Sequence, residues 1–192
     1  MEIILGSQSP RRRELMAGLD LPFTAISIDA DESYPDNLTA GDIPYFISRA
    51  KAQAYAPKLQ DNQLLITADT IVWLDNKMLG KPHNEGEARA MLRTLSGKTH
   101  QVYTAVTFAQ KKNSTANCQL STIVDRTDVT FAELSDEEID YYISHYKPFD
   151  KAGSYGVQEW IGYIACTAMN GSFYNVMGFP IHKVYTELKK RI

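Results

Sequence analysis

Cysteine is scarce in this chain of 192 residues, which has only Cys118 and Cys166. They show no Cys-x-x-Cys spacing and no histidine cluster beside them. That excludes a zinc ribbon and a disulfide framework, and it fits a reducing cytoplasm. Long apolar runs are lacking too. None approaches the roughly 18 residues of a membrane span, and the run after Glu2 is too short for a signal peptide. Positive charge is not in excess. The formal net charge is −3, so stable nucleic-acid binding is not expected. No Gly-x-Gly-x-x-Gly follows a strand, and Gly80-Lys81 lacks the upstream glycine and following Ser or Thr of a Walker A loop. There is no internal repeat, low-complexity tract or linker. What remains is one domain, residues 1–192, with 44% hydrophobic residues to build a core and 22% charged.

The chain is organised around its first thirteen residues. Ile3-Ile4-Leu5 reads as a buried strand. It enters Gly6-Ser7-Gln8-Ser9-Pro10, followed by Arg11, Arg12 and Arg13 and then by Leu15, Met16 and Leu19 at helical spacing. Ser9 is a natural N-cap, and Pro10 suits the first helical position. Backbone N–H groups at a helix start attract anions, and the Ser7 and Ser9 hydroxyls with adjacent guanidiniums make a phosphate receptor. Cations are unfavourable in a first turn, so three arginines there suggest a bound anion that offsets the cost. The plainer alternative is a solvated arginine face on common turn chemistry.

Along the chain, Phe23 to Ile28 reads as a strand that leads to an acidic loop, Asp29-Ala30-Asp31-Glu32. That loop is either a solvated turn or a carboxylate cluster for a divalent cation. Asp42 to Tyr55 reads as a helix capped by Asp42, with an apolar stripe of Ile43, Phe46, Ile47, Ala50 and Ala54. Lys51 lies off that stripe, as a solvent-facing lysine or a ligand for substrate charge. Leu64 to Ala68 is a buried strand that delivers Asp69-Thr70 before a second apolar run, Ile71 to Leu74. A buried carboxylate is costly unless it is paired or metal-bound, and Asp is disfavoured within strands. Asp69 is therefore either the partner of a structural arginine or functional. Lys81 follows Gly80 and precedes Pro82, and could serve as a further cation for phosphate.

A helix capped by Asn84 follows. Thr99–Gln110 and Leu120–Leu134 then read as a long hairpin with its tip at Lys111 to Gln119. Ser135 to Glu138 is a capping box, opening a helix that carries Ile139, Tyr142, Ile143 and Tyr146 inward. Asp150 to Gln158 is a Gly-rich loop. It is either a structural turn or a loop that passes close to a planar ligand, with Gln158 reading base edges. Ile161 to Met169 reads as a strand, Asn170-Gly171 as a two-residue turn, and a helix follows Pro180. The alternation predicts an α/β fold, a mixed sheet with helices on its faces. Cations at Arg11, Arg12, Lys51 and Lys81 with carboxylates at Glu32 and Asp69 suggest one chemistry, phosphate with a divalent metal.

Ser7-x-Ser9-Pro10-Arg11-Arg12, Ala68-Asp69-Thr70, Gly80-Lys81-Pro82, Ser96-Gly97-x-Thr99-His100 and Asp150-Lys151-Ala152-Gly153-x-Tyr155-Gly156-x-Gln158 resemble, in order and spacing, the motifs of the Maf family. The resemblance runs on through Asn170-Gly171-Ser172 and Gly178-x-Pro180. It implies a nucleoside triphosphate pyrophosphatase with an elongated, two-lobed fold similar to the inosine triphosphatases, a central cleft, and a homodimer. It implies that Asp69 accepts the proton of water and that Arg12, Lys51 and Lys81 hold phosphates. It further implies that Glu32 assists Asp69 with Mg²⁺ or Mn²⁺, and that Arg11, Thr70 and Gln158 sort substrates. Those three residues resemble the branch that prefers dTTP and UTP, including modified pyrimidine nucleotides. The runner-up branch prefers 7-methyl-GTP. Glu159-Trp160 follows Gln158 where the family usually has glycine. A competing reading, from another class, is a non-catalytic nucleotide-binding regulator of septum formation. Asp69 discriminates between the two, because a pure polyanion binder gains nothing from a carboxylate beside the phosphate.

Overall fold

The computed structural model describes residues 1–111 and 118–191. In chain order the elements are β1 (Glu2–Gly6), α1 (Pro10–Ala17), β2 (Phe23–Ile26), α2 (Asp42–Tyr55), β3 (Gln63–Leu74), β4 (Lys77–Leu79), α3 (Glu85–Leu95), β5 (Thr99–Lys111), β6 (Cys118–Phe131), α4 (Asp136–Tyr146), α5 (Trp160–Ala165), β7 (Cys166–Asn170), α6 (Phe173–Val176) and α7 (Ile181–Leu188). The strands form a seven-stranded mixed sheet in the order β2-β1-β3-β5-β6-β7, with β4 added on β3. β1 pairs parallel with β2 and β3, while β7 runs antiparallel to β6. Thr99 bonds to Thr130 and Thr107 to Thr122, so β5 and β6 run antiparallel, as the long hairpin requires. The tip expected at Lys111 to Gln119 falls mainly on residues 112–117, outside the described residues. No helix among the described residues is long and apolar enough to cross a membrane.

Two compact units are interleaved along the chain, and three of the four boundaries fall inside β3, β5 and β6. The first comprises Met1–Asp69, Thr104–Asp125 and Gly178–Ile192. Its core follows the two-residue period of a strand. Ile3, Leu5, Leu64 and Ile66 face one way and pack with Met16 of α1 and Val184 and Leu188 of α7. Ile4 and Leu65 face the other way and pack with Ala52 of α2. The second unit comprises Thr70–Tyr103 and Arg126–Met177. There α3 buries Ala88, Leu92 and Leu95, and α4 buries Ile139, Tyr142 and Ile143. Asn84 caps α3 by accepting the Glu87 N–H, and Ser135 with Glu138 forms the full capping box of α4.

Several elements differ from expectation. β2 ends at Ile26 rather than Ile28. Residues 64–74 are not two runs with a break: β3 is continuous, and Asp69 and Thr70 lie within it. Ile161 to Ala165 forms the helix α5, because Ile161 and Ala165, four residues apart, are both fully buried on one helical face. Only Cys166 to Asn170 is a strand. Gly171, at φ +135°, does make a turn, but it leads to α6, capped by Ser172, and not to a hairpin partner. Asp42 lies in the first turn of α2, and Gly41 occupies the cap without a side-chain bond. Tyr146 ends α4 partly exposed, one turn past the buried Tyr142.

Candidate active site

The turn after β1 is built by its own polar groups. The Ser7 hydroxyl accepts the Ser9 N–H at 3.2 Å, and the Ser7 carbonyl accepts from Arg13 Nε at 3.2 Å. Arg13 therefore ties the helix back to the turn. Ser9 does occupy the N-cap of α1 with Pro10 behind it, but its side chain makes no capping bond. Arg12 reaches furthest. Its Nε donates to the Gly178 carbonyl at 2.8 Å and its NH1 to the Ala68 carbonyl at 2.9 Å. The second bond sets the guanidinium beside the residue that precedes Asp69. Burial pushes the Arg12 pKa down, the Asp69 charge opposes that shift, and Arg11 adds to it. Arginine nonetheless remains a cation. Arg11 thus stands close enough to Arg12 for their charges to interact.

Lys51 comes to the same place from α2. The buried face of α2 is Ile43, Ile47, Ser48 and Ala52, not the stripe through Phe46 and Ala54, both of which are exposed. The Ser48 hydroxyl bonds to Thr107 at 2.9 Å, and Thr67 donates to the Ser48 carbonyl at 2.7 Å. These bonds rotate α2 so that Lys51, three residues after Ser48, turns toward the sheet with its side chain 13% exposed. Its ammonium lies 3.0 Å from Asp69 Oδ1 and 3.0 Å from Glu32 Oε1. Asp69 is equally buried, at 13%. Burial raises its pKa, Lys51 and then Arg12 pull it down, and Glu32 pushes it further up. Elsewhere in the acidic loop, Asp31 accepts from both the N–H and the hydroxyl of Ser33, which makes it a turn residue. Glu32 is the one carboxylate of that loop that the structure shows reaching Lys51.

In the second unit, Thr70 follows Asp69 along β3 and is half-buried, while Lys81 is exposed just after β4. The Gly80 carbonyl accepts the Gly153 N–H at 3.0 Å, which joins the Lys81 loop to the Gly-rich loop. Gly153 has φ +67°, and a Cβ there would lie 2.9 Å from the Val72 side chain, so the approach requires glycine. Gln158 lies further along the same loop. Its Oε1 is buried and has no hydrogen-bond partner among the described residues.

A match to the Maf-like protein family model spans residues 2–191. The chain belongs to the Maf family. Curated relatives include a dTTP/UTP pyrophosphatase of Phocaeicola vulgatus, 55% identical over 98% of this chain and 95% of that one. Others are dTTP/UTP pyrophosphatases of Parabacteroides distasonis, 53% identical over the same shares, and of Porphyromonas gingivalis, 54% identical over 98% of this chain and 93% of that one. Among solved structures, the Staphylococcus aureus Ham1 protein is similar at a TM-score of 0.48 and 13% identity, covering 69% of this chain and 73% of that one.

For a Maf protein the donor set here suits a hard divalent cation. Among the described residues no three His, Cys, Asp or Glu side chains cluster to hold a metal. Mg²⁺, however, usually takes one or two carboxylates and completes its shell with phosphate oxygens and water. Glu32 and Asp69 supply two carboxylates, and the Lys51 ammonium between them marks a place where positive charge is already favoured. Sequence reasoning missed the residues that set these groups in place. Arg12 is anchored by backbone carbonyls, which carry no side-chain signature. Ser48 and Thr107 look like ordinary polar residues until α2 docks. Lys151, Tyr142 and Glu159 gather around the Gly-rich loop; the sequence marked Glu159 as a departure and Tyr142 as inward-facing, but not that they meet.

Proposed function

We propose that this chain is a nucleoside triphosphate pyrophosphatase, which hydrolyses dTTP and UTP to the monophosphate and diphosphate. The observation that carries this reading is Asp69. It is a largely buried carboxylate inside a strand, with a raised pKa, between Lys51 and Arg12. Such a group is poorly solvated and close to cations, which suits it to take a proton from a water that attacks a polyanion. The water oxygen bonds to phosphorus, its proton passes to Asp69, the α–β phosphoanhydride bond breaks, and diphosphate leaves. Arg12, Lys51 and Lys81, with the Ser7 and Ser9 hydroxyls, hold the phosphate oxygens and stabilise the charge that builds on them. Arg11, Thr70 and Gln158 select the base. The buried Gln158 Oε1, unpartnered among the described residues, is a group that a pyrimidine imide N–H would satisfy.

Glu32 and Asp69 would hold Mg²⁺ or Mn²⁺, and the ion, when bound, supplies positive charge to the phosphate oxygens. The reading includes a homodimer working in the cytoplasm, consistent with Cys118 and Cys166 both being free thiols.

The test is product identity. Purified protein with Mg²⁺ and dTTP should release diphosphate and dTMP, and the D69N variant should release both at least about a hundredfold more slowly. Orthophosphate as the sole product would overturn the reading in favour of a phosphatase. Binding of dTTP without turnover would favour a nucleotide-binding regulator.

A further inference from the structure

The loop that carries Gln158 is held by groups that the reaction itself does not use. Glu159 N–H donates to the Gly156 carbonyl at 3.0 Å, closing a turn with Val157 and Gln158 at its two central positions. Val157 is buried, so the turn is anchored on that side. Both ends of the turn meet one hydroxyl. Tyr142 Oη accepts the Gly156 N–H at 3.0 Å and donates to the Glu159 carboxylate. The same carboxylate lies 3.2 Å from Lys151 Nζ, and the Lys151 side chain is only 8% exposed. Just upstream, Gly153 and Ser154 both adopt positive φ, +67° and +61°. For a serine that conformation is uncommon and must be held by its surroundings. Tyr155 follows, fully enclosed, with its hydroxyl 2.7 Å from His100 Nε2 and its ring edge-on to Phe131.

We propose that Tyr142, Glu159 and Lys151 form a buried clamp that positions Gln158, and that this clamp sets the discrimination of the enzyme between pyrimidine and other bases. The proposal rests on the reading above, that Gln158 meets the base. Tyr142 is a positioning residue. Its hydroxyl brackets the turn from Gly156 to Glu159, bonding the backbone N–H before Gln158 and the side chain after it. Glu159 has a direct role in this arrangement. Its carboxylate accepts the Tyr142 hydroxyl hydrogen bond on one side and pairs with the Lys151 ammonium on the other, and both partners are buried. A glycine at that position could do neither. A merely structural clamp would affect only stability. A positioning clamp also alters which base is accepted, because the Gln158 amide must present its oxygen and its N–H₂ in a fixed orientation to tell bases apart.

The experiment compares Y142F, E159Q and Q158A for diphosphate release from dTTP, UTP and dATP with Mg²⁺, alongside thermal unfolding. Y142F removes one oxygen and both of its bonds. It should raise KM for dTTP and UTP by about tenfold, leave kcat within about threefold, and shrink the kcat/KM preference for dTTP over dATP by about tenfold. E159Q keeps the shape and can still accept from Tyr142, but it loses the Lys151 pairing. It should shift the preference in the same direction by a smaller factor, and it carries the test should Y142F fail to fold. Q158A separates the two ideas. If Q158A loses the preference while folded Y142F and E159Q keep it, the clamp is structural only and the proposal is overturned, with the base-reading role intact. If Q158A keeps the preference, the base-reading role itself falls, and the clamp proposal falls with it.

Discussion

One ammonium holds two carboxylates in this molecule: Lys51 Nζ lies 3.0 Å from Asp69 and 3.0 Å from Glu32. The consequence for titration has a definite sign. Burial raises the Asp69 pKa, and Lys51 is the largest influence pulling it back. Replacing Lys51 with methionine keeps the length and removes the charge, so the Asp69 pKa should climb further. Below its pKa Asp69 is protonated and cannot accept a proton. The acid limb of the pH–rate profile for diphosphate release should therefore move to higher pH in K51M. The activity lost relative to the parent should be greater at pH 6 than at pH 8. A profile that keeps its acid limb while kcat falls uniformly would show that Lys51 acts on substrate alone.

Asp69→Asn removes the proton acceptor and keeps the volume. Loss of a general base typically costs about 10²–10⁴-fold in rate, so kcat should fall by that order. Stability should hardly suffer. The folded-state pKa lies above the ordinary value of 3.8, so ionised Asp69 costs the folded state free energy at neutral pH, and Asn does not incur that cost. Glu32 remains to accompany Lys51. Thermal unfolding at pH 7 should place D69N within about 4 °C of the parent. A collapse in stability would mark Asp69 as a structural ion-pair partner.

How much of this was legible in the sequence depended on how local the signal was. The Ile3 to Leu5 strand, its polar turn and the arginine helix were readable because a two-residue period meets a Ser-x-Ser-Pro cap within thirteen residues. The capping box of α4 was readable for the same reason. The buried face of α2 was misread because Phe46 looked like core and Ser48 did not. What turns α2 is a buried serine bonded to threonines from two strands, 19 and 59 residues away in sequence, and no helical periodicity reports that. Ile161 to Met169 was misread because a short apolar run suits helix and strand alike. Glu159 stood out in the sequence, but its contact with Tyr142 did not. The clamp joins Tyr142 on α4 to a loop 14 residues later through a backbone N–H.

Arg12 offers a test of the difference between charge and geometry. Its guanidinium bonds to the carbonyls of Gly178 and Ala68, two segments far apart in sequence. A lysine carries the charge but cannot span both carbonyls from one planar fork. R12K should therefore lose at least one of these two bonds and destabilise the fold by about 1 kcal/mol. It should also raise KM for dTTP, since the cation would no longer be fixed beside the residue preceding Asp69. Chemical denaturation with paired kinetics measures both. If R12K retains parental stability and loses only affinity, the carbonyl bonds contribute little to folding.

His100 contributes to the loss of stability in acid. It is fully buried, bonded through Nε2 to Tyr155, and its Nδ1 lacks a hydrogen-bond partner among the described residues. Burial depresses its pKa from 6.5 to about 4, against a weaker upward pull from Asp128. In the unfolded chain the same imidazole binds a proton near its ordinary value. Above pH 6.5 both states are neutral at this site, and the group adds no pH dependence. As pH falls from 6.5 toward 4, the unfolded state takes up the proton and the folded state does not, so stability drains away. The loss is at most about 3 kcal/mol across that window. His100→Gln keeps a polar group within reach of Tyr155 and cannot titrate. Its stability should be lower than the parent at pH 7 and should decline less steeply between pH 6.5 and 4. Urea unfolding at half-unit pH steps measures both slopes. Parallel curves for parent and variant would show that His100 takes up its proton equally in the folded and unfolded chain, so that burial in the Phe131–Tyr155 cluster does not set its titration.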